Sequence, residues 1–150
     1  MSDLSEIKSI KASIAELNAR VDALAAAALV VEIPSMKIEL REGERYAGLV
    51  LKSDGTPSHH VVLLPGSTES NWDDAVAWAL ALGGDLPDCC EQSLLYANLK
   101  SEFEPCYHWS REQHAGTPDF AWMQGFNGGD QYCNLKSDQY RARAVRRSPL

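Results

Sequence analysis

Six apolar residues near the start of the chain, Ile7, Ile10, Ile14, Leu17, Val21 and Leu24, follow one another at alternating intervals of three and four residues. This is the seam of a coiled coil, a narrow stripe rather than the wider apolar face of a helix packed on a core. Lys8, Lys11, Glu16, Arg20, Asp22 and several alanines fill the positions between, so the remainder of the helix suits water. A lone helix with such a stripe has nothing to bury it against, and its spacing favours association with copies of itself.

With Ile7 as position a, Glu6 falls at g and Lys11 at e, opposite charges within reach of each other between parallel neighbours. Isoleucine at a with leucine at d leans to dimers, whereas Ile10 at d leans to trimers or tetramers. Asp3 followed by Glu6 matches a capping box at the helix start, and Pro34 stops the helix beyond the alanine run Ala25 to Ala28. The expected organisation is therefore a coiled-coil oligomerisation stalk over residues 1–34, about 35 to 40 Å long, and a head over residues 35–150.

The head has the length of one globular domain with a single core, and a composition 45% hydrophobic argues against disorder. The net charge is −7, with three basic and five acidic residues in the stalk and eleven against sixteen in the head. Nucleic acid is therefore a poor partner. The start Met1-Ser2-Asp3-Leu4 lacks the basic and apolar regions of a secretory signal, and no stretch is apolar enough to insert in a membrane. Synthesis in the cytoplasm is expected. The C-terminal Arg141, Arg143, Arg146 and Arg147 could form an anion patch, but in one strand they divide between its two faces. A closing strand whose arginines pair with the head's carboxylates is the expectation.

Along the head, Met36, Ile38 and Leu40 alternate with Lys37 and Glu39 and predict a short strand. Tyr46 to Leu51 and His60 to Leu64 predict a hairpin turning at Ser53-Asp54-Gly55-Thr56-Pro57, with His59-His60 as an edge feature. Ser70 with Asp73 predicts the N-cap of a helix that ends at Gly83-Gly84. Asp88 with Glu91 at the capping-box position starts a second helix, ending ahead of Pro105. Short strands then follow at Tyr107 to Trp109, at Phe120 to Phe126 and finally at about Tyr140 to Arg146, with a turn at Asn127 to Asp130. Strands, two helices, then strands imply an α+β fold with an antiparallel sheet.

A series of short stretches in the head carries a resemblance. They are Tyr46-Ala47-Gly48-Leu49, Leu63-Leu64-Pro65-Gly66, Trp72 to Trp78, Gly83-Gly84-Asp85-Leu86-Pro87, Glu91-Gln92-Ser93-Leu94-Leu95, Tyr107-His108-Trp109-Ser110, Ala121-Trp122 and Arg141-Ala142-Arg143-Ala144-Val145-Arg146. In this order they resemble the C-type-lectin-like domain at the C-terminus of the Legionella collagen-like adhesin, a type also found in phage and prophage proteins. The resemblance implies a binding head in which helices and core aromatics are scaffold and the loops and strands of the second half present the ligand surface. Related heads are displayed on trimers in phage tropism proteins. The calcium-ligand motifs Glu-Pro-Asn and Trp-Asn-Asp of sugar-binding members are absent, Glu104-Pro105-Cys106 lacking the asparagine, so calcium-dependent sugar binding is not expected.

Cys89, Cys90, Cys106 and Cys133 include no CxxC pair, and adjacent Cys89-Cys90 cannot comfortably ligate one ion, so no metal is expected. Free thiols are the expectation inside a cell, with a Cys106 disulfide to Cys89 or Cys90 left open for a protein that leaves it. Cys89 or Cys90 as a nucleophile would have its thiol pKa lowered by the helix N-terminus, but nothing brings His59, His60, His108 or His114 close as a base. Glu91, Asp73 and Asp74 lie at helix starts, a sufficient structural reason for their presence. Trp72 and Trp109 fall on apolar faces as core, whereas Trp122, His114, Tyr132 and Tyr140 lie near polar turns.

The second half is rich in side chains suited to adaptable recognition: Arg111, Gln113, His114, Asp119, Gln124, Asn127, Asp130, Gln131 and Tyr132. They are the expected ligand-binding residues. The whole reads as a non-enzymatic recognition protein of phage or prophage type without a cofactor, a homotrimer with the dimer as alternative, associated with the virion and binding a surface glycan or protein. The competing reading is an intracellular phage accessory protein that inhibits a host defence protein.

Overall fold

The computed structural model describes residues 2–27 and 30–150, which divide into two compact units between Ile33 and Pro34. The first is helix α1, Ser2–Ala27. Its stripe is exposed along its whole length, from 47% at Ile7 to 72% at Leu24. Because the helix already includes Ser2, Asp3 lies inside its first turn and complements the helix dipole rather than preceding the helix as a cap. Ala28 and Leu29, where the alanine run ends, lie outside the described residues. Among the described residues no helix is long and apolar enough to cross a membrane.

The second unit is α+β. Its strands are β1 (Arg45–Leu51), β2 (Pro57–Leu63), β3 (Thr68–Ser70), β4 (Tyr107–Gln113), β5 (Phe120–Gly125), β6 (Gln131–Leu135), β7 (Tyr140–Ala142) and β8 (Val145–Pro149); helices α2 (Trp72–Ala81) and α3 (Cys89–Leu99) fall between β3 and β4. They form a three-stranded sheet, β1-β2-β8, and a five-stranded sheet, β3-β7-β4-β5-β6. The pairing is antiparallel throughout except for β4 with β7.

The predicted hairpin forms between β1 and β2, but His59 and His60 are not at an edge. The C-terminal strand β8 pairs along the other side of β2 and makes it the central strand. His60 is buried and its Nδ1 lies 2.7 Å from the Tyr46 hydroxyl. The alternating Met36 to Leu40 forms no strand: Met36 and Leu40 are exposed, and no pairing holds this segment extended. Gly48 marks a bulge in β1, at φ +137°, and a Cβ there would press to 3.1 Å from Leu94 of α3. The same close approach lets Asn98 of α3 donate to the Ala47 carbonyl at 2.7 Å.

Helix α2 is capped by Asn71, not Ser70, which is taken up in β3. The Asn71 side chain accepts from the Asp74 amide at 2.9 Å. Asn71→Ala is expected to lower stability by about 1 kcal/mol, read from the urea midpoint. Gly83 at φ +81° ends the helix, and the Gly84 amide returns to the Ala79 carbonyl. The capping box of α3 forms as the sequence predicts: Asp88 accepts from the Glu91 amide at 2.7 Å and Glu91 accepts from the Asp88 amide at 2.9 Å.

Two cores result. Trp72, Ala75 and Ala79 of α2 pack on Trp109, Met123 and Ala142, while Leu95 of α3 packs with Val61, Leu63, Phe103, Phe126 and Val145. Both core tryptophans are satisfied, Trp72 donating to the Ser110 carbonyl and Trp109 to that of Ser70. The expected single last strand is two. β7 belongs to the larger sheet and β8 to the smaller, and the chain crosses between them at Arg143-Ala144. The crossing breaks the alternation, so Ala142, Ala144 and Val145 are all buried. Arg146 and Arg147 pair with carboxylates, but Arg143 donates to the backbone carbonyls of Glu102 and Leu64.

Candidate functional site

The expected ligand-binding residues lie along β4, β5 and β6, but the fold places them at two ends. Arg111, Gln113, His114 and Asp119 surround the β4-β5 loop, while Gln124, Asn127, Asp130, Gln131 and Tyr132 surround the turn between β5 and β6. The six residues of β5 separate these groups by about 17 Å at the rise of a strand.

At the β5-β6 turn, pairing sets which side chains share a face. Met123 opposes both Tyr132 and Trp109, Ala121 opposes Asn134, and Gly125 opposes Tyr107. Tyr107, Tyr132 and Asn134 therefore share one face. Asn134 donates to the Tyr140 hydroxyl at 2.6 Å, and Tyr140 sets its ring edge-on to Trp109 and Tyr107, with centroids 5.2 and 6.5 Å apart. Tyr107 donates to the Asp130 carboxylate, and this bond pushes the phenol pKa up. Three tyrosines, an amide and a carboxylate thus meet on one surface, where Tyr132 is 59% exposed. Such a surface offers rigid aromatic area together with donors and acceptors for a polar ligand. Tyr107 and Asn134 were not among the expected site residues. The alternation of Tyr107 with Trp109 is visible in the sequence, but β6 carries no strand signal, so nothing there aligns Asn134 with them.

On the opposite face Gln124 and Gln131 are engaged internally. Gln124 is 1% exposed, and its amide donates to the carbonyls of Gly125 and Asp130, holding the turn in place. Gln131 donates to Gln124, to the Cys89 carbonyl and to Ser93, which ties β6 to the start of α3. Gln124 is a structural amide rather than a ligand group, because its polar atoms face the protein. Asn127 accepts from the Gly128 amide within the turn. At the other end His114 stacks on Trp122, with centroids 5.6 Å apart, and Gln113 accepts from Lys136 at 2.6 Å. Arg111 pairs with Asp85 at 2.9 Å, and Asp119 is exposed.

A buried ionic cluster ties α3 to β2 and β8 of the smaller sheet. Glu91 is fully buried and accepts from Arg147 through both carboxylate oxygens, at 2.7 and 2.8 Å, with His59 Nε2 at 2.9 Å. Burial pushes the Glu91 carboxyl up, but Arg147, the Asp88 amide and His59 outweigh it and hold the pKa below the ordinary value. Arg147 extends the cluster to Asp85 at 2.8 Å and to the Leu86 carbonyl. Glu91 thus has an architectural role, while Asp73 and Asp74 are exposed in the first turn of α2.

The cysteine thiols are free. The helix start does not activate Cys89: burial and the neighbouring Glu112 carboxylate push its thiol up to about 12, because desolvation and negative charge both oppose the thiolate. Cys90 and Cys106 are also raised, chiefly by burial. Among the described residues no three His, Cys, Asp or Glu side chains are grouped to hold a metal ion. No protein-family model matches the chain, and no curated protein sequence matches it.

Proposed function

We propose that this chain is an oligomeric, non-enzymatic recognition protein of phage or prophage type. In it, α1 joins two further copies in a parallel coiled coil that carries C-type-lectin-like heads. The observation that carries this reading is the exposed stripe of α1, six heptad positions on a helix of 26 residues. Burying that stripe against identical stripes removes its apolar surface from water and brings Glu6 to Lys11 of a neighbour. Two helices between strands, and a C-terminal strand returning to pair near the start of the head, support a lectin-like arrangement. The tyrosine face around Tyr132 is the surface offered to a glycan or protein on a cell. Presenting several weak sites on one stalk raises avidity without new contacts. In this reading the protein belongs with the virion as a fibre or decoration component and is expected to be recovered with purified particles.

Light-scattering mass of the full chain tests the assembly. The expected value is three times the 16.5 kDa of one chain, falling to one chain when Ile14 and Leu17 are both replaced by lysine. A single-chain mass for the unmodified protein would overturn the stalk and turn attention to one intracellular partner.

A further inference from the structure

Each of the two sheets has two edge strands, and three of the four are guarded in the ways that keep an edge from pairing with another chain. β1 is bulged at two places, and α3 packs against it, with Asn98 donating to its Ala47 carbonyl. β8 carries Arg146 and Arg147, ends at Pro149, and meets Asp85 in a bridge at Val145. β3 has only three residues, one of them Glu69. β6 differs. Gln131–Leu135 has no charge, no proline and no bulge in its register with β5, and no described element pairs along its other side. It also exposes two large side chains, Tyr132 at 59% and Leu135 at 41%.

The backbone shows what that edge offers. Gly125 donates to the Asp130 carbonyl and Lys136 to that of Asp119, so the even-numbered residues turn their backbone groups toward β5. Those of Gln131, Cys133 and Leu135 therefore point outward. Leu135 is satisfied locally, by the Asn134 side chain and the Asp138 amide. Gln131 and Cys133 are left with outward donors and acceptors that meet no described strand. The two ends of the strand carry opposite charges on the tyrosine face. Asp130 accepts from Tyr107 through one carboxylate oxygen. Lys136, at the other end, lies 4.7 Å from the Trp72 ring centroid and uses one of its three protons on Gln113.

This pattern is complementary to itself. Two β6 strands running antiparallel about a two-fold axis at Cys133 set Asp130 of each against Lys136 of the other, Tyr132 against Asn134, and Gln131 against Leu135. The two Cys133 residues then form a hydrogen-bonded pair, exchanging both backbone bonds with their Cα atoms about 5.5 Å apart. No like charges meet along the strand.

We infer that β6 is a docking edge for a second copy of this chain, which joins the larger sheets of two heads and continues the tyrosine face from one to the other. Asn134 of the second copy lies beside Tyr132 and adds to the ligand surface. The inference goes beyond the stalk and stands on the head alone. The contact involves one short strand from each side, less than the about 1,000 Å² that a stable interface buries. Single heads therefore stay apart in dilute solution, and the contact forms where several heads on one stalk meet several on another.

The test is cross-linking of the reduced full chain with a short bismaleimide over rising protein concentration, the linked peptides being identified by mass spectrometry. Links between the Cys133 residues of two chains are expected to grow with concentration. Lys136→Asp sets carboxylates against each other at both ends and is expected to reduce these links about tenfold. Adding Asp130→Lys is expected to restore them. A Cys133 link that is absent, that is equally abundant in Lys136→Asp, or that the second substitution fails to restore overturns the inference; its absence assigns the edge to a segment of a different protein. A trimeric mass without the link removes the head contact and leaves the stalk, whereas a single-chain mass in dilute solution with the link at high concentration does the reverse.

Discussion

Replacing Arg147 with alanine is expected to lower the stability of the head by about 3–5 kcal/mol, seen as a fall in the urea midpoint with little change of slope. Tryptophan fluorescence reports this unit alone, since Trp72, Trp78, Trp109 and Trp122 all lie in it. The loss arises because Arg147 supplies both oxygens of the fully buried Glu91 with charged donors and also holds Asp85. Without it, Glu91 keeps only His59 and the Asp88 amide, and a largely uncompensated charge stays in the interior. Arg111→Ala is the internal control. Arg111 pairs with the same Asp85 from a half-exposed position, where a salt bridge contributes less than about 1 kcal/mol. Equal losses from the two substitutions would sink the account, because burial would then not be what makes the Arg147 pair strong.

The folded pKa of Glu91 is depressed, so its contribution to stability is present above the ordinary carboxylate value of 4.5 and is lost as pH falls through the folded value. In Arg147→Ala the strongest partner of the buried carboxylate is gone. Protonation in acid relieves that buried charge, and the difference between variant and parent narrows as pH falls.

Local signals in the sequence reported local structure well. Asp88 and Glu91 form their capping box because both halves of the motif lie within one turn, and Ser53 to Pro57 turns the hairpin because Gly55 supplies a positive φ. The failures needed knowledge of distant partners. Met36, Ile38 and Leu40 alternate like a strand, yet alternation makes a strand only where another strand pairs with it. β6 has the opposite character: Gln131, Asn134 and an exposed Tyr132 look like loop, but pairing with β5 holds them extended at a sheet edge. Tyr140 to Arg146 reads as one strand because nothing in its composition shows where the chain changes sheets. The same limits applied to the site. Asp130 and Tyr132 are legible from their place at a polar turn, whereas Tyr107 and Asn134 join them only through the pairing of β5 with β4 and β6.

The burial of His108 in β4 has a consequence in acid. Burial, reinforced by the positive charges of Arg143 and Arg141, holds the His108 pKa down at about 4, with only the Cys106 carbonyl acting the other way. An unfolded chain returns the imidazole to its ordinary 6.5. The unfolded state therefore takes up the proton first, so the contribution of His108 is complete above pH 6.5 and is lost progressively as pH falls toward 4. The shift corresponds to about 3 kcal/mol over the full interval. Between pH 6.5 and 4.5 this loss precedes that of the depressed carboxylates: Arg146 holds the Glu44 carboxyl at about 2, and Glu91 also titrates below 4.5. Urea midpoints measured through this interval are expected to fall steadily for the parent protein and distinctly less for His108→Gln, which cannot take up a proton. Parallel profiles for the two proteins would mean that the buried imidazole is not held neutral, and would withdraw the acid sensitivity assigned to it.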